Sequence, residues 1–313
     1  MVLVSSPGKV ILFGEHAVVY GFPALASAID RRIYVKAEKN SLGKIVIASK
    51  GKKTSFSFKS LKRRRGEFRY ILRALKIAFD TLGMNFGVSI EIDSKIPRAA
   101  GLGSSAAISV AVLKAAYYIA GEDIKKGKLA ALGHRVELEV QGSASPTDTA
   151  TSALGGVLFI RSGKAIEKIE IRQDISLIVG CTGMKRSTKE LVAKVKTFKE
   201  TYPNIAEPII ASIGEITIEA RTALANGDYQ KLGKLMLVNN ALLDALGVGN
   251  MALSRRVYSA IKAGAAGAKL TGAGGGGCMI ALARENRELV LKALGKRAFV
   301  TKISKEGTRV EHL

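Results

Sequence analysis

The chain has 313 residues, a hydrophobic share of 47% and a formal net charge of +23, which allows two domains or one large one with a sizeable aliphatic core. The longest apolar run, 106–120, is broken by Lys114 and falls short of the ~20 residues of a membrane span. Lys9 and Glu15 come too early for a signal peptide's apolar core, and Cys181 and Cys278 set neither a metal spacing nor a disulfide framework. These features predict a soluble protein in a reducing, cytoplasmic compartment.

Residues 2–4 and 10–13 are β-prone, with Pro7-Gly8 between them. Ser5, Ser6, Lys9, Glu15 and His16 gather here among strand formers and read as the wall of a site. Strands are expected at 33–38, 44–48 and 54–58, and a helix from Phe68 to Leu82 with an apolar stripe through Ile71, Leu75 and Phe79. The basic residues on that helix's other face read as solvated. Lys62-Arg63-Arg64-Arg65, with Lys52, Lys53, Lys59 and Arg69 nearby and Phe56, Phe58, Phe68 and Tyr70 interleaved, faintly resembles a nucleic-acid patch. No nucleic-acid module surrounds it, and a solvated lysine-rich surface is the simpler reading.

Val88–Asp93 alternates as a strand, and 106–120 reads as a buried helix. Between them lies Gly101-Leu102-Gly103-Ser104-Ser105-Ala106-Ala107. Small residues opening a helix leave backbone N–H groups uncovered, which suits phosphate. A tight turn with Ser104 or Ser105 as N-cap is the equal alternative. A helix at 124–141 carries Glu137, which alone reads as a salt-bridge or capping carboxylate. In 142–150 small residues surround Asp148: either a cap after a Pro turn or a carboxylate held on a close-packed loop near a substrate hydroxyl.

Residues 155–160 and 165–171 predict a hairpin, and the domain boundary is placed after it, giving domains 1–172 and 173–313. Beyond lie a strand at 177–179, the loop 182–188, helices at 188–199, 205–225, 228–246 and 251–264, a strand at 279–283, a helix near 285–294 and a strand near 298–303. Two formal dinucleotide fingerprints, Gly101-x-Gly103-x-x-Ala106 and Gly272-x-Gly274-x-x-Gly277, fit poorly: the first does not directly follow its strand, and the second leads into a strand. Neither is a Walker loop.

The combination is far more specific. Pro7-Gly8-Lys9 with Gly14-Glu15-His16-Ala17-Val18-Val19-Tyr20-Gly21, then Pro97-x-x-x-Gly101-Leu102-Gly103-Ser104-Ser105-Ala106-Ala107, then Ser145-Pro146-Thr147-Asp148, then Lys269-Leu270-Thr271-Gly272-Ala273-Gly274-Gly275-Gly276-Gly277-Cys278 occur in that order. This resembles the small-molecule kinase superfamily of galactokinase, homoserine kinase, mevalonate kinase and phosphomevalonate kinase. Within it, the Gly14–Gly21 segment resembles the compact archaeal mevalonate kinases. The resemblance spans residues 5 to about 282.

The resemblance implies an α/β and α+β architecture: an N-terminal mixed-sheet domain, a C-terminal ferredoxin-like domain and an active site in the cleft. It implies ATP-dependent phosphorylation of the 5-hydroxyl of (R)-mevalonate in isoprenoid biosynthesis. Pro97 and Gly101 to Ala106 would hold the nucleotide, and Ser105, with Ser104 as an alternative, and Glu137 would hold Mg²⁺. Asp148 would take or orient the hydroxyl proton with Lys9 beside it. Glu15, His16, Thr188 and Gly274 would contact mevalonate. No nucleic-acid or membrane partner is implied, and a homodimer is left open. A sister kinase on another small alcohol and a non-catalytic ligand sensor remain the alternatives.

Overall fold

The computed structural model describes residues 1–62, 65–97, 100–142 and 144–311. Arg63 and Arg64 of the basic cluster, and Ser143 of the loop before Asp148, lie outside the described residues. In chain order the elements are β1 (Val2–Phe13), β2 (Ala24–Lys39), β3 (Ile45–Ser49), β4 (Lys52–Phe56), α1 (Arg69–Leu82), β5 (Val88–Ser94), α2 (Ser104–Ala120), α3 (Lys126–Gln141), α4 (Pro146–Leu154), β6 (Val157–Ile160) and β7 (Glu167–Ile169). Then follow β8 (Ser176–Cys181), α5 (Thr188–Thr201), α6 (Pro203–Asn226), α7 (Tyr229–Ala245), α8 (Met251–Lys262), β9 (Gly267–Thr271), β10 (Cys278–Leu282), α9 (Arg287–Leu294), β11 (Ala298–Lys302) and β12 (Arg309–Glu311).

Two sheets organise them. The first has eight strands on the path β12-β1-β2-β5-β3-β4, with β6 and β7 branching from β2. It is mixed because β3 and β5 pair in parallel while its other pairs are antiparallel. The second is antiparallel with order β11-β8-β10-β9, the arrangement of a ferredoxin-like βαββαβ unit. Helices α1, α2 and α3 pack together, and α2 lies on β1 and β2. Its buried face is largely Ala and Val, small enough to let the helix sit close to the sheet.

Several sequence expectations change. Pro7-Gly8 does not separate two strands: β1 runs through it, with a register shift between Pro7 and Gly8 against β2. A bulge absorbs the proline, which has no N–H to give the ladder. Ser5 and Ser6 are not site wall. Ser5 bonds Glu311 and receives Arg32, and Ser6 pairs with Thr308, so both tie the returning C-terminal segment to the first sheet. Strands β9 and β12 were not foreseen. Arg73 is not solvated: it is buried on α1 and ion-paired with Glu139 at 3.0 Å.

The cysteines are also corrected. Cys181 and Cys278 form a disulfide between β8 and β10, their Cα atoms 4.0 Å apart. The Thr182 N–H bonds the Gly277 carbonyl at 2.7 Å, so the cysteines occupy the close, non-hydrogen-bonded position of an antiparallel pair. A separation of 97 residues hid this contact from the sequence. Among the described residues no helix is long and apolar enough to cross a membrane. Two aromatics of the basic cluster pack on each other, Phe56 against Phe68 at 5.8 Å, and Phe58 packs against Phe79, rather than standing out as a stacking platform.

Candidate active site

The glycine-rich loop docks on β1 at its bulge. The Lys9 N–H bonds the Leu102 carbonyl at 2.9 Å, and a β-carbon at Gly8 would lie 2.9 Å from that same oxygen. Gly101 and Gly103 both take left-handed φ, 75° and 74°, which turns the chain sharply into α2. Gly103 is the N-cap and no side chain caps the helix, so the expected Ser104 or Ser105 cap is not formed. The first amides of a 17-residue helix have no carbonyl within the helix to bond and stand at its positive end. Leu102 and Ala106 are buried and anchor the loop, while Pro97 is half-buried ahead of it.

Ser105 turns instead to Glu137: its hydroxyl donates to Glu137 Oε1 at 2.7 Å. Glu137 is buried on α3, and burial, then the Asp148 carboxylate, push its pKa up to about 7 against the pull of Ser105 and Lys9. Asp148 lies in the first turn of α4, not on a loop. Ser145 caps that helix by accepting from the Thr147 N–H, with Pro146 opening it. The Lys9 ammonium, 4% exposed, stands 3.0 Å from Asp148 Oδ1. Elements distant in sequence thus converge: β1 brings Lys9, α2 Ser105, α3 Glu137 and α4 Asp148.

The opposite wall comes from the second sheet. Glu15 and His16 follow β1, and His16 sits at φ 62°, a backbone state that costs a non-glycine residue about 1–3 kcal/mol. The His16 Nε2 bonds the Ala273 carbonyl at 2.9 Å, and Glu15 pairs with Lys269 of β9. Burial holds the His16 pKa below the usual imidazole value, with Arg186 adding to the effect against Ala273 and Glu15.

Arg186, which sequence reasoning passed over, reaches into this space. Its Nη1 donates to the Gly274 carbonyl at 3.1 Å, and a β-carbon at Gly101 or Gly272 would run into its guanidinium. Burial lowers its pKa, while Asp148 and Glu15 act on it in the opposite sense, which places it within electrostatic reach of both carboxylates. The signal available was a cation in a short segment between a strand and a helix, Lys185-Arg186-Ser187-Thr188. Thr188 is exposed at the start of α5, and Ser187 caps that helix by accepting from the Glu190 N–H. Among the described residues neither hydrogen-bonds Glu15 or His16.

The arrangement juxtaposes helix-N-terminal amides, a buried lysine, a partly exposed carboxylate and a guanidinium. Such a set can bind a polyphosphate, orient a hydroxyl beside a base and offset developing charge. No group of three or more His, Cys, Asp or Glu side chains that could hold a metal occurs among the described residues. Ser105 and Glu137 are hard oxygen donors, which fits an ion such as Mg²⁺ that keeps several waters and takes the rest of its ligands from phosphate.

Comparison with known proteins gives concordant matches. The family model "GHMP kinases N terminal domain" matches residues 69–156, "GHMP kinases C terminal" matches 220–301, and "Galactokinase galactose-binding signature" matches 2–39. A mevalonate kinase of Thermococcus sibiricus is 45% identical, covering 100% of this chain and 99% of that protein. One of Pyrococcus abyssi is 44% identical, covering 100% and 98%. A crystal structure of mevalonate kinase superposes with a TM-score of 0.88 at 34% identity, covering 98% of this chain and 100% of that one. L. major mevalonate kinase in complex with R-mevalonate gives a TM-score of 0.83 at 26% identity, covering 96% and 94%.

Proposed function

The chain belongs to the mevalonate kinase family of the GHMP kinases, and from that premise we propose that it transfers the γ-phosphoryl group of ATP to the 5-hydroxyl of (R)-mevalonate. The observation that carries the reading is the Lys9–Asp148 pair beside the amides that open α2.

Phosphoryl transfer asks the protein mainly to position groups and offset charge. In this reading the Gly101 to Ala106 amides hold the triphosphate, with the α2 dipole favouring its negative charge. Asp148 accepts the proton of the 5-hydroxyl or holds that hydroxyl in line, a contribution of ~10²–10⁴-fold. Lys9 fixes the direction of the Asp148 carboxylate and faces the transferring group. Arg186, within electrostatic reach of Asp148, would offset charge developing on the transferring oxygens. Ser105 and Glu137 would hold Mg²⁺, which neutralises phosphate charge when bound. Glu15 and His16 hold the mevalonate body, and Gly274 lets the backbone come near it. Thr188 is assigned no part.

The reading includes a cytoplasmic setting, since ATP is supplied there, and no nucleic-acid or membrane partner. The reading keeps a boundary at 172/173, supported by the division of strands β1–β7 and β8–β11 between two sheets, with β12 returning to the first. The test is product identification: ³¹P NMR of a reaction with ATP and (R)-mevalonate should show ADP and a phosphomonoester coupled to the C5 methylene. Hydrolysis of ATP without that ester contradicts the proposal.

A further inference from the structure

The helix that carries Asp148 is short. α4 has nine residues, and a helix of that length is marginal by itself, so its axis is set by what holds its two ends. Ser145 holds the first end. The last carbonyls of a helix have no partner within it. Here they are met by the segment that leaves β11 for β12. The Thr308 hydroxyl donates to the Ser152 carbonyl at 3.0 Å, and the Thr308 N–H donates to the Ala153 carbonyl at 3.3 Å. Gly307 lets that segment come so near: a β-carbon there would lie 2.1 Å from the Ala153 carbonyl oxygen. Arg32, itself buried, holds the approach to Thr308 through Ser304 Oγ and the Glu306 and Gly307 carbonyls.

The same hydroxyl reaches β1. Thr308 Oγ1 and Ser6 Oγ stand 2.7 Å apart, and the Ser152 hydroxyl donates to the Pro7 carbonyl at 3.0 Å. The direction of each bond follows from its atoms, since a hydroxyl has one proton and a carbonyl only accepts. Thr308 gives its proton to Ser152 and therefore receives one from Ser6, while Ser152 gives its own to Pro7. The bonds leave β1 at Ser6, cross the C-terminal segment and α4, and return to β1 at Pro7. All three hydroxyl side chains are buried. Lys9 lies just beyond Pro7 on β1, and Asp148 lies one turn before Ser152 on α4. This closed ring thus joins the two elements whose side chains meet at 3.0 Å.

We propose that Thr308 is a positioning residue for phosphoryl transfer: its hydroxyl locks α4 to β1 and so fixes the Asp148 carboxylate against the Lys9 ammonium. The inference rests on the kinase reading, in which Asp148 meets the 5-hydroxyl. Thr308 acts through Ser6 and Ser152 rather than on the pair itself. Losing its hydroxyl takes the acceptor from Ser6 and the donor from the Ser152 carbonyl, which frees the far end of α4 to shift. A shift of about 1 Å in a reacting group can cost ~10²-fold in rate.

The test is initial-rate kinetics on the full chain with ATP and (R)-mevalonate. Thr308→Val keeps the shape and removes the hydroxyl; kcat should fall by roughly 10-fold or more, with the KM for ATP within about threefold. Thr308→Ser keeps the hydroxyl and should hold kcat within about threefold of the wild type. In the Asp148→Asn background, Thr308→Val should lower kcat by no more than about twofold, because the group it positions is already gone. A purely structural role would lower the melting temperature without producing this pattern. Ser152→Ala breaks the ring at Pro7 and is the second variant, should Thr308→Val fail to fold; it should show the same loss in kcat and the same silence beside Asp148→Asn. Wild-type kcat in the folded variant, an equal loss in Thr308→Ser, or a full further loss beside Asp148→Asn overturns the proposal alone. No mevalonate-dependent ADP release by the wild type overturns the functional reading and the proposal together.

Discussion

The Lys9 ammonium and the Asp148 carboxylate meet at 3.0 Å although 139 positions separate them, the lysine buried on a strand and the aspartate partly exposed in the first turn of a helix. A buried cation beside a solvent-reachable carboxylate fixes that carboxylate's direction. Asp148→Asn keeps the shape and removes the charge. We expect kcat to fall by about 10²–10⁴-fold with the KM for ATP within about threefold, read by initial-rate kinetics. Near-normal turnover would remove Asp148 as the proton acceptor.

Arg186 links the loop after β8 to the carbonyl of Gly274 and lies against Gly101. In the proposed reaction its guanidinium offsets charge that builds up during transfer. Arg186→Lys shortens the reach and loses the planar fork, so kcat should drop by roughly 10²-fold or more with a small change in melting temperature. An unchanged kcat would reduce Arg186 to a fastener of the glycine loop.

Glu137 gives a pH signature. Its folded pKa of about 7 stands above the ordinary value of 4.5, so between those values the folded protein holds a proton that the unfolded chain has released. Stability of the metal-free protein should therefore fall as pH rises from about 4.5 to 7 and then level off, by about 3 kcal/mol from this group. Urea titrations across that range should show the slope in the wild type and a flatter one in Glu137→Gln. Parallel profiles for the two proteins would contradict it.

The disulfide closes a segment of 97 residues and stands where the loops carrying Arg186 and Gly274 leave the second sheet. Cross-linking over that length should contribute up to about 4.7 kcal/mol through the unfolded chain. Cys181→Ala with Cys278→Ala should lose that amount in urea, and reductant should lower the wild type to the same level. Identical midpoints with and without reductant would show that the thiols do not pair in solution.

What the sequence made legible was whatever local chemistry or ordered motifs marked. Gly101 to Ala107 stood out as small residues at a helix start and Asp148 as a carboxylate among small residues, whereas Glu137 was singled out only by the family resemblance. Arg186 did not, because a cation between a strand and a helix looks like any surface arginine until Gly101 and Gly272 are seen to make room for it. Lys269 sat inside a recognised motif, but its partner Glu15 is 254 positions away and no periodicity announces such a pair. The Cys181–Cys278 contact and β12 depend in the same way on strand register between distant segments. The serine cap is absent for a different reason: Gly103 holds the N-cap position, and Ser105, inside the helix, bonds Glu137 on another helix.

The most direct test of the account is the rate of ADP release by the purified chain with ATP and, in turn, (R)-mevalonate, homoserine, galactose and phosphomevalonate. The account predicts rapid release with (R)-mevalonate, little above background with the other three, and loss of the signal in Asp148→Asn. Faster release with any of the other three, or none with (R)-mevalonate, would contradict it.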